Sequence, residues 1–268
     1  MSSRADFAAA ADDLAVRVLS ALRGAGGTAL VAGHVDSAPD ALAALAAIRV
    51  IGADTFSPYV LAGATFHAED AAAVTRSFEA FPLPSTDPTA PTDEHTSAWR
   101  DWATAQLLAR VGGAAAAQRG EATQYGEAAR YGEATGHALA AQPEGDAALA
   151  DTADWQRWSV RMAQLATLAQ PGLDGPVHEA ARGAALPLSR GVTRCVLRRD
   201  FPTAVRLIRW LAWLDHEGVA LPLDPLLALE HVRLLGGESP RMALDLTVAR
   251  RLLEGRLPEA TQAQEART

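Results

Sequence analysis

The residues best suited to chemistry form a basic run. Between residues 182 and 209 the chain carries seven arginines and a single acidic residue, Asp200. Arg190, Arg194 and Arg198 recur every four residues, so on a helix they line up along one ridge. We call these three the arginine ridge, and Arg199 follows it directly. Because a guanidinium presents two parallel N–H donors, the ridge is predicted to bind a carboxylate, a phosphate or a partner protein. The seven arginines are Arg182, Arg190, Arg194, Arg198, Arg199, Arg206 and Arg209.

Three kinds of group could neutralise the ridge. An acidic helix of the same chain is favoured by the formal net charge of -8 and the pI of about 5.4. A small anion or a phosphopeptide is the second alternative. A nucleic acid backbone is the third, and the acidic total disfavours it.

Acid–base and metal chemistry have weaker candidates. His178, Glu179 and His216 are the side chains that could transfer protons beside a bound anion. Glu133 and His137 are spaced i, i+4 on a helix and would supply half of a metal site. The chain has no lysine, which excludes Schiff-base chemistry and a lysine-containing phosphate-binding loop. We predict no cofactor, and a single cysteine excludes an intramolecular disulfide.

The six tryptophans occur as three Trp-x-x-Trp pairs, each on a predicted helix. Residues i and i+3 share a helix face, which indicates either plain core packing or an aromatic surface for a ligand. The segment from Val205 to Leu214 is apolar on most sides, so Trp210 is expected deep in the core. Trp99 lies in the half-charged sequence WRDW and is expected nearer the surface. The pairs are Trp99 with Trp102, Trp155 with Trp158, and Trp210 with Trp213.

The apolar spacing that positions these residues is mainly helical. N-cap residues, Pro at first turns and Gly at helix ends predict a multi-helix fold with about seven helices after residue 96. These are expected at 97–112, 150–169, 175–184, 188–199, 203–216, 223–235 and 240–254. Before residue 82 we expect further helices at 12–24, 37–52 and 68–81. The short apolar runs 28–33 and 59–66 are either buried strands or apolar loops, and we favour two short strands.

Composition suggests boundaries as well. Residues 82–96 are rich in Pro, Ser and Thr and read as a linker between a helical or small α/β region (1–81) and a helical domain (97–254). Within the second domain, 114–149 is an Ala-, Gly- and Glu-rich connector. It contains three Gly-Glu-Ala hexads at 120–137, which have no aliphatic position that would build a β-helix. Residues 255–268 are expected to form a flexible tail.

The sequence favours an interaction protein. It has neither a dense apolar run long enough for a membrane span nor an apolar signal segment, so we expect a cytoplasmic location and no membrane partner. The absence of Lys and Asn points to the G+C-rich genome of a bacterium. No catalytic motif occurs, which favours a non-catalytic helical accessory protein that binds a protein or peptide. The alternatives are an enzyme whose anionic substrate lies on the ridge and, third, a nucleic-acid-binding protein.

Overall fold

The computed structural model describes residues 4–25, 29–87, 91–118, 140–144, 149, 151–237 and 239–255. These residues form α-helices and two 3-10 turns, Gly52–Phe56 and Ala166–Leu168, and they contain no strand. The mainly α fold class is therefore confirmed. The helices are α1 (Arg4–Leu22), α2 (Leu30–Ser37), α3 (Ala41–Ile51), α4 (Ser57–Leu61), α5 (Ala68–Ala80), α6 (Thr92–Gln118), α7 (Trp155–Gln164), α8 (Pro176–Arg182), α9 (Ala185–Leu197), α10 (Phe201–His216), α11 (Pro225–Leu235) and α12 (Pro240–Glu254).

The last three helices begin and end within two residues of their predicted positions because their start signals are local, whereas α6 and α7 depart from theirs by five or six residues at each end. The Asp200 carboxylate accepts a hydrogen bond from the Thr203 amide at the start of α10. Asp224 caps α11 in the same way, and Ser239 caps α12. Each of these three helices has Pro in its first turn, where the missing N–H is not needed.

The two predicted strands are wrong, and a contact between distant residues explains the first error. Most of the run 28–33 belongs to α2, whose first amides, Val31 N and Ala32 N, donate to Asp70 Oδ1 at 2.7 and 2.9 Å. Asp70 lies on α5, so the side chain that stabilises this helix start is far away in sequence. The run 59–66 begins inside α4 and continues as a loop. The Tyr59 hydroxyl on α4 also donates to Asp70, at 3.0 Å.

Helix α10 lies at the centre of the packing. It contacts α7, α9, α11 and α12, and ten of its residues are buried. Helix α1 packs on α3 and on α12, where Arg241 Nε lies 2.9 Å from Asp12 Oδ1. Apolar side chains from both sides of the predicted linker 82–96 contribute to the same core cluster. The division of the chain into domains stays a prediction.

One segment of the described residues, Ala41–Leu61, is long and apolar enough to cross a membrane. It spans α3, the first 3-10 turn and α4, and 67% of its most apolar window is buried within the protein. Burial against other helices is typical of a core helix in a soluble protein. The cytoplasmic location stays a prediction.

Part of the predicted connector is helical, because α6 continues to Gln118. The hexads at 120–137, with Glu133 and His137, lie outside the described residues. Residues 256–268 of the predicted tail lie outside them too.

Candidate functional site

The arginine ridge lies on the outer face of α9, along an open groove of about 550 Å³. Trp155 at the start of α7 and the loop before α11 form the other sides of the groove. Leu186 and Leu197 contribute apolar side chains that are 47% and 80% exposed. The groove therefore combines cations with accessible apolar surface. We call it the arginine groove; its residues are Trp155, Leu186, Ser189, Arg190, Thr193, Arg194, Leu197, Arg198, Pro222 and Leu223.

The ridge arginines have no acidic partner among the described residues. Three other arginines of the basic run, Arg182, Arg206 and Arg209, do have acidic partners. Arg182 pairs with Asp174 at 2.9 Å, and Arg206 Nε lies 3.6 Å from Asp245. Asp200, the single acid of the run, is used as the cap of α10. An acidic helix that neutralises the ridge from within the chain is thus not seen in the described part of the chain.

The chain reverses direction at the end of α9, and this separates Arg199 from the ridge. Arg199 has a positive φ of 58°, and its amide donates to Val196 O at 3.0 Å. It is exposed but does not line the groove. Cys195 is buried on the inner side of α9, and burial raises the pKa of its thiol, an effect to which Asp200 adds. A raised pKa disfavours the reactive thiolate.

His178 is a core residue. Its side chain is fully buried, and its ring lies edge-on to Trp210 and Trp213 with centroids 5.5 and 5.1 Å apart. Nε2 lies 2.9 Å from Leu168 O, so this nitrogen carries the hydrogen and donates. Burial lowers the pKa of His178, mainly because a charged imidazole would lose its hydration.

Glu179 and His216 are not brought to the ridge either. Glu179 is exposed on α8, and His216 is half-buried in the last turn of α10. No hydrogen bond joins either of them to His178 in the described residues, and none of the three lines the arginine groove. The structure therefore does not assemble the predicted acid–base group beside the ridge.

We expect the stability of the protein to fall as the pH drops from 7.5 to 5.5, partly through His178. The folded-state pKa of His178 is lowered. Below about pH 6.5 the imidazole therefore binds a proton in the unfolded chain but stays neutral in the folded chain. The contribution of His178 to the free energy of unfolding is fully present above that pH. It is lost below it, by up to about 1.4 kcal/mol per pH unit. Urea unfolding at several pH values should show a shallower loss for His178→Phe than for the wild type. The exposed His231→Gln is the control and should keep the wild-type slope; parallel curves for His178→Phe would contradict the assignment.

Five of the six tryptophans are core residues. Trp99, Trp102, Trp158, Trp210 and Trp213 are each at most 4% exposed, whereas Trp155 is half-buried in the arginine groove. The expectation that Trp99 lies nearer the surface than Trp210 is wrong. The charge in its WRDW sequence is itself buried: Asp101 accepts from Arg49 Nε at 2.7 Å. That guanidinium also lies over the Phe78 ring, 4.8 Å from its centroid.

Comparisons with protein-family models, with curated proteins and with solved structures found no match to this chain. The roles of its residues therefore follow from their own contacts. Among the described residues no group of three or more His, Cys, Asp or Glu side chains could hold a metal ion.

A buried ion cluster was not predicted from the sequence. Arg209 is fully buried and donates to Asp54 through both terminal nitrogens, at 2.8 and 2.6 Å. It also donates to Asp245 Oδ1 at 2.7 Å. Gln170 Nε2 contacts Asp54 Oδ1 at 3.1 Å. Burial alone would lower the pKa of Arg209, but the two carboxylates outweigh it and keep the guanidinium charged.

Proposed function

We propose that the protein binds a partner protein by accepting an acidic amphipathic segment in the arginine groove. The observation that carries this proposal is the set of three ridge arginines, which have no acidic partner in the described residues and lie beside exposed leucines. A partner that carries carboxylates and apolar side chains would satisfy both parts of the groove at once.

The apolar part of the groove supports a helical ligand. Leu186 and Leu197 lie eleven residues apart on α9, about three turns, and both are accessible. Trp155 faces the same space and offers a large, rigid apolar surface. A helix with apolar residues at i, i+3, i+4 and i+7 can cover a surface of this kind, as in known helix-in-groove complexes.

The positive charge of the ridge favours a ligand that carries negative charge. Like charges at i, i+4 repel one another and cost an isolated helix a few tenths of a kcal/mol per pair. Carboxylates of a ligand would remove this repulsion and accept paired hydrogen bonds from the guanidinium groups. Binding would therefore be stronger at low salt.

The scaffold holds the groove in place. Gly191 lies on the inner side of α9, and a Cβ atom there would approach Ser159 Cβ to 2.7 Å and Leu207 Cδ1 to 3.0 Å. The helix therefore packs closely on α7 and α10. Leu188 and Val192 fill the same interface and are buried. Because this packing holds the α9 backbone in place, binding at the ridge would order the arginine side chains but not the helix.

The two alternatives have less support. In the enzyme alternative, a substrate on the ridge would be processed by His178, Glu179 or His216, and none of these lines the groove. In the nucleic-acid alternative, the net charge of -8 opposes association with a polyanion.

The proposal is tested with a fluorescent synthetic helical peptide that has Glu at i, i+4 directly beside a stripe of Leu, so that one side of the helix presents both to the groove. We expect fluorescence anisotropy to show binding that weakens with salt. Arg190→Gln together with Arg194→Gln should weaken it by at least about tenfold, since one lost charge-assisted contact is worth roughly 1.4 kcal/mol.

Two controls accompany this measurement. Arg233 and Arg250 are exposed on α11 and α12 and pair with Glu230, so replacing both with Gln should leave peptide binding unchanged. A peptide with Lys in place of Glu should not bind. Equal affinity for both peptides, or an equal loss in both double variants, would contradict the proposal. If the ridge double variant lowers the stability of the free protein at low salt, the acids come from this chain itself.

A further inference from the structure

A second cavity lies apart from the arginine groove. It has a volume of about 340 Å³ and forms where the first turns of α6 meet the C-terminal end of α7 and the outer faces of α10 and α12. This volume is at the lower end of the range of small-ligand pockets, about 300–1,000 Å³. We call it the polar cavity, because its lining includes Asp54, Ser97, Arg100, Thr167, Arg206 and Asp245.

The two inner carboxylates of the polar cavity, Asp54 and Asp245, already have a cationic partner. Arg209 lies behind the lining and donates to both Asp54 and Asp245 at 2.6 to 2.8 Å. Arg241 also lines the cavity, but it bonds outward to Asp12 at 2.9 Å. Asp93 is a third lining carboxylate; it is exposed in the first turn of α6, where water and the helix N-terminus both stabilise its charge.

The cationic side of the cavity has hydrogen-bond donors that lack a partner among the described residues. Arg100 Nη2 donates to Val50 O at 2.7 Å, but its Nε is buried and has no partner among the described residues. No carboxylate forms an ion pair with Arg100 there; burial lowers the pKa of Arg100, and the more distant charges of Asp54, Asp101 and Asp245 oppose that shift. Among the residues that the structure describes, the one carboxylate contact of Arg206 is the long 3.6 Å contact with Asp245. Thr167 Oγ1, on the same lining, is likewise buried without a partner among the described residues.

A partly buried guanidinium without a close ion pair is less favourable than a paired one, because it has lost part of its hydration. An oxyanion in the cavity would supply that pair and would accept hydrogen bonds from Arg100, Arg206 and Thr167 together. We propose that the polar cavity binds a small organic anion through its carboxylate or phosphate group, held by Arg100 and Arg206. This site is separate from the arginine groove and does not depend on the proposed partner.

The probes are citrate and inorganic phosphate, each compared with sodium chloride at matched ionic strength in thermal unfolding of the full chain. At ten times its Kd, a ligand of the cavity should raise the Tm of the wild type by about 4 °C, by mass action on the folded state. Arg100→Gln and Arg206→Gln should each abolish the shift. A shift with citrate alone identifies a carboxylate ligand, and a shift with phosphate alone identifies a phosphate-bearing one.

The groove double variant, Arg190→Gln with Arg194→Gln, is the matched control and should keep the full shift. The proposal is overturned if neither probe shifts the wild type, if the shift survives in both cavity variants, or if only the groove variant loses it. Should Arg100→Gln fail to fold, Arg206→Gln decides alone, since the Arg206 side chain is 42% exposed. Peptide binding by Arg206→Gln should equal that of the wild type, which separates failure of this proposal from failure of the proposed function.

Discussion

Replacing Arg209 with Met should lower the free energy of unfolding by about 3–5 kcal/mol at neutral pH. The loss comes less from the guanidinium's own contacts than from what remains, because Asp54 and Asp245 would be buried without their closest cation; Arg206 Nε stays 3.6 Å from Asp245. Met fills a similar volume, so cavity formation contributes little. Chemical denaturation measures the difference. Arg233→Met, on an exposed pair with Glu230, is the control and should cost no more than about 1 kcal/mol.

The pH dependence of this loss identifies its cause. Burial already raises the pKa of Asp245, and the guanidinium of Arg209 opposes that rise. Without Arg209 the pKa of Asp245 in the folded state rises further above its value in the unfolded chain. The cost is therefore present above the folded pKa and shrinks as the pH falls and the carboxyl becomes protonated. A cost that is the same at neutral and acidic pH would show that lost packing, and not an unpaired charge, destabilises Arg209→Met.

Trp210→Ala and Trp99→Ala should destabilise the protein by similar amounts, about 3–5 kcal/mol each. Both side chains are 0% exposed. Trp210 donates to Met162 O at 2.8 Å and lies edge-on to Trp213. Trp99 donates to His95 Nε2 at 3.2 Å and lies edge-on to Trp102. Each replacement therefore leaves a large cavity and an acceptor without its donor.

Trp155→Ala is the control for both tryptophan variants. Its side chain is only half-buried at the groove, so its loss of stability should be well below that of the other two. Urea denaturation of the three variants gives the comparison. A Trp99→Ala variant as stable as Trp155→Ala would show that the packing between α6 and its neighbours is less tight than described.

Local signals account for what the sequence predicts well. Helices α10 to α12 have capping side chains and Pro or Gly within a few residues of their ends, so their bounds could be read from short windows. The arginine ridge was predictable for the same reason, because i, i+4 spacing fixes a common helix face. Neither inference requires knowledge of the rest of the fold.

Contacts between residues that are far apart in sequence account for the features that the sequence did not predict. The start of α2 depends on Asp70, which lies 39 and 38 residues beyond the amides that it caps, so the apolar run before it resembled a strand. Arg209 was counted with the basic run, yet its partner Asp54 is 155 residues away. The polar cavity combines residues from α6, α10 and α12 with the turn after α3, and no sequence window contains them together.

The pairing of α1 with α12 has a consequence for how the protein is made. Asp12 and Arg241 are 229 residues apart, as are Leu22 O and Arg251 Nη2, which are joined at 2.7 Å. At about 5–20 residues per second, a ribosome needs roughly 10–50 s to synthesise the intervening chain. The face of α1 that packs on α12 stays uncovered during that time. A nascent chain therefore exposes this face of α1 until α12 has been synthesised.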